Sequence, residues 1–137
     1  MTQPGWIATL LGALGAFIFG ALYYTVLAKP WMRATRTAPE DAKMKPSIFI
    51  IGAVFTVLIS YGMGAFLATL GITNSVPSAV GVAVLAWAAF AFAPMAVNHR
   101  YQDYGWDLTI IDGVHWLGVF LIVALVPILL GGAPKFG

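Results

Sequence analysis

The sequence predicts an all-α fold, an integral membrane four-helix bundle, and three observations carry that prediction. Hydrophobic residues make up 61% of the 137 and charged residues only 9%, whereas soluble domains carry about 25% charged residues. Four apolar runs, at about residues 6–27, 47–70, 78–97 and 108–130, each reach the roughly 20 residues that a helix needs to cross a hydrocarbon core of about 30 Å. Nearly all the charge lies between those runs, as expected where the solvent is lipid. The runs leave no room for a separate soluble domain, so residues 1–137 read as one transmembrane domain.

The first run, Trp6 to Leu27, is preceded only by Met1 to Gly5, with no basic residue. It is also longer than the roughly 7–15-residue apolar stretch of a signal peptide, so it is expected to be retained, although Val26-Leu27-Ala28 faintly resembles a cleavage site. Gly12, Ala16 and Gly20 recur at a spacing of four and form a small-residue stripe on which a neighbouring helix can pack closely. Tyr23 and Tyr24 close the span, where rings with a polar tip suit an interface. The loop Lys29 to Pro46 carries Lys29, Arg33, Arg36, Lys43 and Lys45 against Glu40 and Asp41, and its three prolines allow only a short interfacial turn over Trp31 to Thr35. These five cations are candidates for contact with anionic lipid headgroups, and their plainer role is to set orientation.

The second run repeats the small-residue spacing at Gly64 and Ala68 and places Tyr61 deep in its middle, where a hydroxyl needs a partner on another helix. Gly71 to Pro77 is short and uncharged, which makes the second and third spans an antiparallel hairpin. The third span is alanine-rich, and Pro94 near its end is expected to kink the last turn. The fourth follows the polar stretch Asn98 to Asp107, contains Pro127, and gives way to a tail whose one cation is Lys135.

Orientation follows from the cations. The loops after the first and third spans hold six of the seven Lys and Arg residues, so both are expected in the cytoplasm and both termini on the opposite, periplasmic side. Asp103 and Asp107 then share a face with the first loop's cations and are expected to meet them. The net charge of +2 is explained by this asymmetry and requires no nucleic-acid partner.

The stretch from Asn98 to Trp116 contains both histidines, His99 and His115, and three of the five acids, Asp103, Asp107 and Asp112. Asp112 and His115 are three apart on one helical face, roughly 6 and 10 Å in from Leu108, where ionisable groups are costly and therefore functional candidates. With no cysteine in the chain and no His-x-x-x-His pair, neither a metal site nor a cofactor is expected, although His99, Asp103, Asp107, Asp112 and His115 are the residues such a site would draw on. A proton or ion relay through Asp112 and His115 is better motivated, since both titrate in response to burial. The preferred reading is plainer: the two hydrogen-bond each other and cross-link the fourth helix to its neighbours, through Trp116 or Tyr61. Neither a nucleophile elbow nor a phosphate-cradling loop is present.

The end of the first helix, Tyr23-Tyr24 followed by the glycine-free run Thr25 to Met32 with its Lys29-Pro30-Trp31-Met32 segment, resembles small bacterial membrane proteins grouped as domain of unknown function 1761. The resemblance implies a four-helix protein of a bacterial inner membrane and implies no activity. The expected function is a non-enzymatic module that binds a lipid, a membrane-protein partner or itself as a homo-oligomer. The alternative is a small transporter or a proton- or ion-conducting oligomer using Asp112 and His115. Topology is the first thing to test. A reporter active only outside the cytoplasm should be active when fused to Gly137 and silent when inserted after Arg36. A C-terminus found in the cytoplasm would overturn the assignment.

Overall fold

The structure is a computed structural model and describes residues 5–130. The tail from residue 131, its Lys135 and the two termini whose side was assigned above therefore lie outside the described residues. The described residues form α1 (Trp6–Val26), α2 (Ala28–Thr35), a 3-10 turn at Pro39–Asp41, α3 (Pro46–Thr69), α4 (Val76–Ala86), a π-helical segment at Trp87–Phe92, α5 (Ala93–Tyr101) and α6 (Trp106–Leu129). Since α4, the π segment and α5 run on without a break, four helices are long and apolar enough to cross a membrane: α1, α3, Val76–Tyr101 and α6.

α6 is the hub of the bundle and touches α1, α3, α4, α5 and α2. Its inner face supplies Val119, Val123, Ala124 and Ile128, which meet Ala16, Met63, Leu67 and the alanines Ala79, Ala83 and Ala86 of α4. Small residues allow the backbones to close: a Cβ at Gly12 would stand 3.6 Å from the Val123 Cα, and one at Gly15 would stand 3.3 Å from the Ile122 Cγ2. The stripe identified from spacing is thus used inside the chain, where lipid offers no hydrophobic drive and association rests on packing and hydrogen bonds. At the same crossing the buried Ser60 hydroxyl donates to the Thr9 carbonyl at 2.8 Å and ties α3 to α1.

Two elements differ from expectation. The third span continues to Tyr101, about a turn past the predicted end at residue 97, so Asn98, His99 and Arg100 lie on a helix and the loop shrinks to Gln102–Gly105. At Pro94, where a kink of the last turn was expected, the backbone widens just ahead of the proline. Its ring crowds the Phe90 carbonyl and has no N–H to offer, and the backbone answers with the wide turn at Trp87–Phe92. The Trp87 indole N–H then donates to the Gly113 carbonyl at 2.8 Å, which locks the wide turn against α6.

The basic loop is more ordered than its prolines imply. α2 is a short amphipathic helix whose Ala34 is buried, and Arg36 ends it with a left-handed backbone (φ 58°). Arg36 donates to the Asp103 carbonyl at 2.6 Å and lies 5.2 Å from the centre of the Tyr104 ring, so the two loops at this end of the bundle are joined. The acids and cations of the two loops were expected to pair. The observed tie uses the backbone of Asp103 instead, which is itself left-handed (φ 60°) and whose side chain is exposed.

Candidate functional site

The polar cluster sits at the basic end of the bundle, where α1 ends, α5 ends and α6 begins. Antiparallel packing of α1 on α6 brings Tyr23 and Tyr24 level with Ile111 and Asp112. The Tyr23 hydroxyl donates to the Ile111 carbonyl at 2.7 Å, and the Tyr24 hydroxyl donates to Asp112 Oδ1 at 2.7 Å. The second carboxylate oxygen, Oδ2, lies 3.8 Å from His99 Nε2, with both side chains largely buried. That separation is too long for a hydrogen bond, so the imidazole and the carboxylate are close neighbours without a direct bond.

His99 is in turn held by α6. Its Nδ1 lies 2.9 Å from the Thr109 hydroxyl oxygen, which also accepts from Arg100 at 2.7 Å. Arg100 donates further to the Gly105 carbonyl at 2.8 Å and stacks 4.1 Å from the centre of the Trp106 ring. One string of polar groups therefore runs Arg100, Thr109, His99, Asp112, Tyr24 across three helices. The unexpected extension of the third span makes this possible, because a loop at Asn98–Tyr101 would not present His99 to α6.

His115 takes no part in that string. The bond to Asp112 inferred from their spacing does not form, since Tyr24 and His99 approach the two carboxylate oxygens from neighbouring helices. The imidazole is instead enclosed by rings: parallel to Phe19 at 6.0 Å, 4.7 Å from Tyr24 and 4.9 Å from Trp116. Its buried Nδ1 has no hydrogen-bond partner among the described residues. A Cβ at Gly20 would stand 2.9 Å from its Nε2, so that glycine makes room for the ring.

The remaining sequence candidates lie apart. Tyr61 is 40% exposed on the outer face of α3 instead of facing another helix, because the residues that turn inward there are Ser60, Met63 and Gly64. Asp103 and Asp107 are exposed; Asp107 occupies the first turn of α6, where the helix dipole favours a carboxylate. Lys29, Arg33, Arg36, Lys43 and Lys45 are all exposed. Among the described residues no three His, Asp or Glu side chains converge in a way that would hold a metal ion. Sequence reasoning missed Tyr24, Thr109 and Arg100 as members of the cluster. The signal for Tyr24 was available: it lies near the end of one antiparallel helix, at the depth that Asp112 occupies in the first two turns of another.

Beside the cluster an open groove of about 490 Å³ runs between α3 and the α4–α5 arm, with α6 as its floor. Ile59, Phe90, Ala91, Met95, Trp116 and Phe120 make its walls apolar. Asn98, His99 and Gln102 make its end polar. The π segment presents Phe90 and Ala91 to the groove, and His99 belongs both to the groove and to the buried string.

The family model described as protein of unknown function DUF1761 matches residues 7–127. Comparison with curated proteins and with solved structures returns no match.

The Tyr24–Asp112 contact makes a direct prediction. Tyr24→Phe removes the donor and leaves the carboxylate short of a partner in the membrane. Interhelical hydrogen bonds there average about 0.6 kcal/mol and reach about 1.7, so a loss in that range is expected on reversible unfolding in mild detergent. Tyr61→Phe, on the outer face, should stay within about 0.5 kcal/mol of the parent. Equal losses from the two variants would contradict the assignment.

Proposed function

The chain belongs to the DUF1761 family, and from that membership and the geometry we propose that it is a non-enzymatic module of a bacterial inner membrane that binds a membrane amphiphile in the groove. The observation that carries the reading is one continuous surface with an apolar body and a polar end, open along the side of the bundle. Its volume lies in the range of small-molecule sites, about 300–1,000 Å³. In the proposed orientation the basic end faces the cytoplasm, and the exposed Lys29, Arg33, Arg36, Lys43 and Lys45 lie where anionic headgroups gather. A homo-oligomer or a membrane-protein partner would dock on the exposed apolar outer faces, because Gly12, Ala16 and Gly64 of the small-residue stripes are buried within the chain.

The alternative, a small transporter or a proton- or ion-conducting oligomer, draws support from the closeness of His99 to Asp112 and none from His115, which is enclosed by rings. Conduction would require a water path to Asp112. Binding is tested by mass spectrometry on protein purified in mild detergent. The expected result is a co-purifying amphiphile on the parent that is lost when Met95→Trp fills the groove. Equal occupancy of parent and variant, or no bound molecule on either, would refute the binding reading.

A further inference from the structure

The chemistry of the groove narrows what its occupant is, and this inference rests on the binding reading above. None of the lining residues is Lys, Arg, Asp or Glu. A phosphate or carboxylate head seated among them would meet no countercharge from the lining, whereas an uncharged head needs none. Lipids with anionic heads are better served by the exposed cations of the first loop.

The polar end instead offers hydrogen bonds to a neutral group. Asn98 and Gln102 each carry two N–H donors and a carbonyl acceptor, and both are exposed at the groove's end. His99 adds Nε2, which no protein group satisfies at hydrogen-bond distance, since Asp112 stops at 3.8 Å. Arg100 already donates to the Thr109 oxygen, so the Thr109 hydroxyl hydrogen is free to serve His99 Nδ1 and leave the proton on Nε2. Donors thus outnumber acceptors here, which matches a carbonyl-bearing head.

The walls add shape. Phe90, Trp116 and Phe120 bring aromatic rings to the walls, and flat rings pack on such rings in offset or edge-on geometry. Phe90 is 75% exposed at the outer surface, so the groove is open along its side and a long apolar tail can leave it for the surrounding acyl chains.

We propose that the groove binds a membrane quinone: a flat, uncharged head whose carbonyls accept from Asn98, Gln102 and His99 while its ring packs against Trp116.

The test uses the full chain in neutral detergent, titrated with decylubiquinone and, separately, with phosphatidylglycerol, with bound ligand read by native mass spectrometry. Saturable binding of decylubiquinone is expected, weakened about tenfold by Asn98→Leu with Gln102→Leu, the loss of two modest hydrogen bonds. Ala91→Trp should abolish it by filling the groove. Asn98 and Gln102 are exposed, so their variants should keep the parent's melting temperature, which is checked in parallel. Binding of decylubiquinone that ignores both sets of variants would overturn the proposal. Phosphatidylglycerol binding that is blocked by Ala91→Trp, with no saturable quinone binding, would overturn the quinone assignment and leave the groove as a lipid site. No saturable binding of either probe in the groove would overturn both readings.

Discussion

The close antiparallel approach of α1 to α6 is the constraint on which the rest of the structure depends. Inside lipid there is no hydrophobic force to draw helices together, so the approach must be won from contact and hydrogen bonds. Gly12 and Gly15 let the backbones close, Gly20 receives the His115 ring, and the two tyrosines bond to Ile111 and Asp112. Because α6 also forms the floor for α3, α4 and α5, its placement against α1 determines where every other helix can sit.

A carboxylate at the position of Asp112 needs this arrangement to be tolerated. An isolated charge in hydrocarbon is costly, and ionisable groups there face partners or water. Asp112 meets Tyr24 from α1 and His99 from α5, so it acts as a three-helix junction. The junction depends on a distant feature of the backbone. Pro94 and the wide turn ahead of it set the course of α5, and Trp87 anchors that turn to Gly113, a residue away from Asp112. One proline thereby influences both the position of His99 and the wall of the groove.

The four spans were legible in the sequence because length and apolarity leave a lipid-embedded chain few choices, and their ends agree to within a few residues except at Tyr101. That end was misplaced because Asn98, His99 and Arg100 are polar, and a hydropathy pattern cannot distinguish a loop from a helix whose polar side chains are engaged by a neighbour. Asp112 was legible from its depth. Its partner was not: helical spacing within α6 pointed to His115, whereas the bonds come from α1 and α5. Spacing reports which side chains share a face and is silent about what the facing helix offers. Tyr61 fails for the same reason, since a position in the middle of a span is not a position in the middle of a bundle. The groove had no sequence signature, because its residues come from three separate stretches of the chain.

The seam between α1 and α6 can be tested in native membranes, since the chain has no cysteine. A Cβ at Gly15 would lie 3.3 Å from the Ile122 Cγ2, and the Ile122 Cβ is one bond beyond that atom, near the upper end of the Cβ separation of about 3.5–4.5 Å that a disulfide requires. Oxidation of the double variant Gly15→Cys, Ile122→Cys should give an intramolecular cross-link. The pair Gly62→Cys, Ile122→Cys should give none, because Gly62 faces open space. Failure of the first pair to cross-link, or equal cross-linking of both, would contradict the seam and with it the placement of Tyr24 on Asp112.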